Sequence, residues 1–302
     1  MSALTDIVAA ELAQPVDPRV TAFAADIAAR HDGAAAVLFY GSCLREAQLD
    51  GLMLDFYLIV DNYRRAYEKA WLARANAAIP PNVFHAEHRG LVAKYAVLSR
   101  KDFARQCAGD TRSVSVWARF AQPSRLVWAA DDKSGIIKDV AAAPATLLRE
   151  ARPMMPMRLS IADLWQRAFA LTYDAELRAE RKTRAGSLFD AHTDWYRALT
   201  APALAAAEIQ ANVDDNQVAF TVPADINTGE RAWAAWRRNG KLISIARLAK
   251  ATATFDGGID YLAWKINRHA GTSMEITPWQ RRHPILAGIY LLPKLIRGGA
   301  VG

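Results

Sequence analysis

Apolar and polar positions follow two regimes along the chain, short strand-like runs first and long helical periodicities afterwards. Residues 18–31 place Val20, Phe23, Ile27 and Ala28 on one helical face. Residues 34–40 form an apolar run ending at Gly41-Ser42, which predicts a buried strand feeding a turn. A second such run, 52–60, is interrupted only by Asp55. A helix is predicted over 63–78 and is stopped by Pro80-Pro81, whose rings cannot continue it. Strands follow over 82–87 and 91–99, joined by the turn His88-Arg89-Gly90. Helices over 102–107 and 114–120 and a strand over 125–129 complete this part. From 136 onward, helical patterns dominate over 136–151, 160–181, 193–212, 228–238, 240–253 and 256–269.

The pattern predicts an α/β domain over 1–135, a mixed sheet with flanking helices, followed by a mainly α-helical domain over 136–272. The length of 302 residues suits two such units. A third segment, 273–302, differs from both. Trp279-Gln280-Arg281-Arg282-His283 is basic and aromatic, 285–292 is apolar, and 293–297 closes it with a lysine and an arginine. An apolar stretch with such flanks suits the headgroup boundary of a membrane, or else packs on the core as an ordinary helix.

Composition narrows this only a little. With 52% hydrophobic and 23% charged residues the chain is globular rather than disordered or fibrous. Its two cysteines, Cys43 and Cys107, have no metal-ligand spacing, which fits a reducing compartment and not a disulfide framework. Residues 1–19 carry Asp6 and Glu11 and lack the features of a secretion signal or transit peptide. No apolar run reaches the roughly 18–20 residues that cross a bilayer. The expected place is the bacterial cytoplasm. The net charge of +7 points to an anionic partner: nucleotide, nucleic acid or acidic membrane.

The chemistry concentrates around Tyr40-Gly41-Ser42 and Asp55. Gly41 lets backbone approach a phosphate, while the Ser42 hydroxyl and the following amides donate to it. Thirteen residues after Ser42, Asp55 lies in a strand so apolar that its carboxylate requires a cation or hydrogen-bond donors. A strand, a Gly-Ser turn and an acidic strand form the core pattern of the nucleotidyltransferase superfamily, where the acid holds Mg²⁺ against a nucleoside triphosphate. One feature departs from it: the superfamily's second carboxylate, two residues on, is here Tyr57. Asp61 has the right parity, but it lies about 20 Å farther along a strand rising ~3.3 Å per residue. Asp50 and Glu87 remain candidates for a second ligand.

Further motifs, in order, resemble the mitochondrial translocator-maintenance type of phosphatidate cytidylyltransferase and its bacterial relatives. Tyr40-Gly41-Ser42-Cys43 resembles that family's Tyr-Gly-Ser-Gly turn. Leu54-Asp55-Phe56 to Val60-Asp61 resembles its Leu-Asp-Phe strand. Lys94-Tyr95-Ala96-Val97-Leu98-Ser99 resembles its Lys-Tyr-Gly-Val-Ile-Ser, and Trp117 to Pro123, with Arg119, its Ala-Gly-Arg-Leu-x-Lys-Pro. Leu171-Thr172-Tyr173 to Glu176-Leu177-Arg178, followed by Lys182-Thr183, resembles its Leu-Ser-Tyr-x-x-Asp-Phe-Arg segment. The likeness covers roughly residues 34–200, with Cys43 and Ala96 in place of glycines and Gln122 in place of lysine.

The resemblance implies an α/β nucleotidyltransferase domain, then a helical domain and an amphipathic, membrane-contacting C-terminal segment. It implies CTP and phosphatidate as substrates, Mg²⁺ as cofactor, and a peripheral position on the cytoplasmic face of the inner membrane. Asp55, as metal ligand, with Lys94 and Arg119 would carry catalysis. Tyr40, Gly41, Ser42, Lys94, Tyr173, Arg178 and Lys182 would bind the nucleotide. Each has a plainer alternative: a helix cap for Ser42, a surface lysine for Lys94, any nearby carboxylate for Arg119, and a solvated helix for the last three. Two other patterns point elsewhere. His85 and Glu87 share a strand face while His88 opposes them, so the trio reads as a hairpin end rather than a zinc site. The basic patch 264–269 reads as a solvated helix, and no nucleic-acid partner is expected.

Overall fold

The computed structural model describes residues 2–46, 48–176, 188–254, 267 and 275–282. Helix α1 (Ala3–Leu12), which the apolar pattern does not single out, begins at an N-cap where Ser2 accepts from the Thr5 amide. It buries Leu4, Val8 and Leu12. Helix α2 (Pro18–Ala29) is capped by Asp17, with Pro18 in the first turn where its missing N–H costs nothing. Strand β1 (Ala34–Tyr40) leads into a 3-10 turn (Ser42–Arg45), and β2 (Met53–Val60) returns antiparallel to it.

The helix expected over 63–78 is two helices, α3 (Tyr63–Ala66) and α4 (Ala70–Ala78). Tyr67 breaks it by adopting extended backbone, and its ring is buried so that its hydroxyl accepts from Asn76 at 2.9 Å. Fully buried Asn76 also donates to Val97 O and accepts from the Asn82 amide, tying α4 to the sheet. Strands β3 (Asn82–His88) and β4 (Leu91–Ser99) form the expected hairpin. Helices α5 (Arg100–Cys107) and α6 (Ser115–Phe120) and strand β5 (Ser124–Ala129) follow.

The five strands make one mixed sheet in the order β3-β4-β2-β1-β5, with β2 and β4 parallel and the other pairs antiparallel. Its two faces build two cores. Val37, Phe39, Leu54, Phe56 and Leu58 pack with Val20, Phe23 and Ile27 of α2. Leu38, Tyr57, Ile59 and Leu98 pack with Phe103, Trp117 and Phe120, and that cluster continues into the second half of the chain.

There, α7 (Ser134–Ala151) lies on α5 and α6. A small antiparallel sheet of β6 (Arg158–Ser160), β7 (Ala211–Val213) and β8 (Gln217–Phe220), in the order β6-β8-β7, accompanies α8 (Ile161–Asp174) and α9 (Thr193–Ala206). The periodicities 160–181 and 193–212 overrun these helices. The second includes β7, which extends to pair with β8.

The patterns 228–238 and 240–253 are one helix, α10 (Ile226–Thr254), which passes through Gly240 unbroken. It crosses the molecule as a strap, inward at regular turns. Gly229 abuts Pro153 and Met154. Trp233 is fully buried and donates to Glu150 O at 3.0 Å. Trp233 and Trp236 both meet Trp117 edge-on. Gly240 lies against the Ala175 carbonyl. Arg247 donates to Pro80 O at 2.8 Å and to the hydroxyls of Ser113 and Ser115. Lys250 donates to the carbonyls of Ile79 and Pro81. A short helix, α11 (Pro278–Arg282), opens the last segment. The pattern 256–269, apart from residue 267, and the apolar run 285–292 lie outside the described residues. Among the described residues, no helix is long and apolar enough to cross a membrane.

Candidate active site

The turn after β1 explains why a glycine stands at 41. Its φ is +96°, a region that L side chains avoid. A Cβ there would also lie 3.2 Å from Asp55 Oδ2, tighter than an ordinary contact. The turn therefore closes directly over Asp55, and Ser42 is exposed at its start. Cys43 has no positive φ, so this turn forms without a second glycine. Its thiol is buried instead, donating to Met53 O at 3.5 Å, and burial pushes its pKa up.

Asp55 is the second residue along from Met53 and pairs across β1 with Tyr40 and across β4 with Lys94. The Lys94 ammonium lies 3.1 Å from Asp55 Oδ1, with 47% of the lysine side chain and 21% of the aspartate exposed. That approach is an ion pair without hydrogen-bond alignment: among the described residues, Oδ1 is buried and lacks a hydrogen-bond partner. A buried carboxylate oxygen left in this way is costly, and it is suited to a divalent cation. No group of three or more His, Cys, Asp or Glu gathers among the described residues. A metal here would rest on Asp55, with water and substrate oxygens completing its shell, as Mg²⁺ commonly does with one or two carboxylates.

Arg119, from α6, stands over the Tyr40 ring at 4.9 Å. Burial alone would lower its pKa, but the nearby Tyr40, Asp55, Tyr57 and Glu176 hold it above the ordinary value. The Tyr40 and Tyr57 rings meet at a tilt with centroids 5.3 Å apart, and Phe120 closes on both edge-on. Burial raises the Tyr57 pKa, opposed by the charges of Arg247 and Arg119. Glu176, just past the end of α8, and Arg247 from the strap therefore lie near enough for their charges to act on this cluster. Burial lowers the pKa of Arg247 against the pull of Tyr57 and Glu176.

The structure thus gathers Tyr40, Gly41, Asp55, Lys94 and Arg119. Tyr173 is buried one turn before Glu176, on the helix whose end reaches the cluster. Arg178 and Lys182 lie outside the described residues. Asp61 is held at the other end of β2 by Arg100 at 3.1 Å, and Asp50 pairs with Arg19 at 3.1 Å. Glu87 is exposed at the rim of β3. His88 faces the opposite core, stacked on Phe23 at 5.5 Å with its Nδ1 3.6 Å from Asp26. Ala96 is buried in the core, and Gln122 donates to Ala118 O at 2.8 Å. Sequence reasoning did not single out Arg247, and it took Glu176 only as part of a motif.

No family model matches the chain, and no curated protein matches it.

Proposed function

We propose that the chain is a nucleotidyltransferase that transfers the cytidylyl group of CTP to phosphatidate, giving CDP-diacylglycerol and pyrophosphate. The observation that supports nucleotidyl transfer is the Gly41 turn closing on Asp55 beside Lys94 and Arg119. The choice of CTP and phosphatidate rests on the family resemblance. Mg²⁺ bound at Asp55 would neutralise triphosphate charge. Gly41 and Ser42 offer backbone and hydroxyl donors to phosphate oxygens, and Lys94 and Arg119 provide fixed cations on either side. Positioning and charge neutralisation supply the rate in such transfers. A phosphate monoester is largely ionised at neutral pH, so the acceptor needs no strong base.

The net charge of +7 and the exposed Trp279 support a peripheral position on the inner membrane's cytoplasmic face, through 273–302. The test uses purified protein, labelled CTP, Mg²⁺ and vesicles containing phosphatidate. CMP transfer to lipid is expected. Transfer only to soluble alcohols would replace the lipid reading. Binding of CTP without turnover would favour a non-catalytic nucleotide binder, a reading supported by the single carboxylate on β2. Deleting 279–302 should weaken vesicle flotation, and unchanged flotation would refute the tail's role.

A further inference from the structure

Arg247 reaches the site from the strap, and its bonds are unusual for an arginine withdrawn from water. Nε donates to Pro80 O at 2.8 Å, and Nη1 to the hydroxyls of Ser115 at 2.8 Å and Ser113 at 3.3 Å. All three acceptors are neutral. Among the described residues, no carboxylate lies within ion-pair distance of the guanidinium, and Nη2 has no acceptor. Lys250, about one turn farther along α10, responds to burial by a pKa pushed down to about 7. Arg247 cannot follow it, because a guanidinium stays ionised in proteins. A cation held in place by neutral groups, with one nitrogen unused, is suited to an anion that arrives from outside.

Two further donors adjoin it. Tyr57 lies on the same face of β2 as Asp55, two residues or ~7 Å farther along the strand. Its ring is fixed by Tyr40 and Phe120, and its hydroxyl makes no hydrogen bond among the described residues. The cationic charges that act on this hydroxyl are those of Arg247 and Arg119. The Ser113 and Ser115 oxygens lie 3.0 Å apart, so one hydroxyl proton fills the gap between them and the other is left to donate. Guanidinium, phenol and hydroxyl all offer hydrogens, and their common ligand is an oxyanion with several acceptor oxygens.

Building on the nucleotidyl-transfer reading, we infer that Arg247 and Tyr57 form a phosphate subsite beside Asp55. Mg²⁺ keeps its oxygens at about 2.1 Å, so a subsite one strand row away holds a phosphate and not the ion. Arg247 arrives with the strap, and the second half of the chain thereby completes the site.

Calorimetric titration of the full chain with CTP and Mg²⁺, and separately with short-chain phosphatidate, tests the subsite. Tyr57→Phe removes a hydroxyl that no protein group uses. Its melting temperature should be unchanged, while binding of one ligand weakens about tenfold, equal to about 1.4 kcal/mol. Arg247→Gln, which removes the charge and keeps an N–H for Pro80 O, should weaken the same ligand at least as much. Should Arg247→Gln fail to fold, Tyr57→Phe decides. Loss confined to CTP assigns the subsite to the triphosphate, and loss confined to phosphatidate assigns it to the acceptor. Wild-type affinity for both ligands in Tyr57→Phe overturns the inference, and leaves the transfer reading intact if CMP transfer proceeds. Binding that depends on Tyr57 and Arg247, without CMP transfer, would refute that reading and leave the subsite standing. A wild-type chain that binds neither ligand overturns both.

Discussion

Replacing Gly240 with alanine tests how the strap is held. In an open helix interior this change stabilises by about 1 kcal/mol. A smaller gain is expected at Gly135, in the first turn of α7, where nothing lies within 4 Å of an added Cβ. At Gly240 the same Cβ would lie 2.1 Å from the Ala175 carbonyl oxygen. Both partners are backbone, so neither can swing aside as a side chain would. Overpacking of a closed contact costs about 1–3 kcal/mol, and a clash this close belongs at the upper end. Subtracting the helix preference leaves a net loss of ~2 kcal/mol, or about 3 °C in melting temperature for a chain of this size. Urea unfolding followed by tryptophan fluorescence is a suitable assay, since Trp233 and Trp236 lie on the same helix. Arg247 and Lys250 would also be drawn off the carbonyls of Ile79, Pro80 and Pro81, so the two ends of α10 should loosen together. A Gly240→Ala protein as stable as Gly135→Ala would refute the close docking of α10.

Asp55→Asn should lower nucleotidyl transfer at least ~100-fold while changing stability by less than ~1 kcal/mol, because the Lys94 partner is half exposed. A large drop in melting temperature would assign Asp55 a structural role instead. Arg125 and Glu11 join β5 to α1 at 2.6 Å, each with 14% of its side chain exposed. Glu11→Gln should therefore cost about 3–5 kcal/mol in urea melts, and a cost below about 1 kcal/mol would refute that view of the pair. Burial, with Arg247 adding to it, pushes Lys250 down to about 7, against ~10.4 in an unfolded chain. Between those values the unfolded chain binds more protons, so stability contributed by this site rises with pH from about 7 and is flat below. Lys250→Met should flatten that rise in melting temperature from pH 7 to 10, and an unchanged slope would rule Lys250 out as its source.

Four of the large strands were legible as mainly apolar runs bounded by a turn residue or proline, and the more polar β3 by Pro80-Pro81 before it and Gly90 after it. Their observed limits fall within a residue or two of the pattern. The small sheet was not: β6 and β7 have three residues each and no alternation to display. Gly240 resembled a helix end, since sequence shows a glycine's weak helix preference but not the carbonyl it must clear. In the site, Asp55 was visible as a carboxylate out of place in an apolar strand. Lys94 and Arg119 came from family motifs. Glu176 and Arg247 owe their positions to the end of α8 and the path of the strap. Neither leaves a periodic trace. The helix over 63–78 broke because Tyr67 buries its ring, a tertiary demand that local propensity cannot show.

The site takes Tyr40, Asp55 and Lys94 from three neighbouring strands, paired in register. A slip of one residue in either pairing would send that strand's contribution to the opposite face. Asp55 and Lys94 are also neighbours through a parallel pair, which no tight hairpin can nucleate. During refolding, helix content should therefore recover before nucleotide binding does. A chain that has regained its circular dichroism will still lack a site until β4 has settled beside β2.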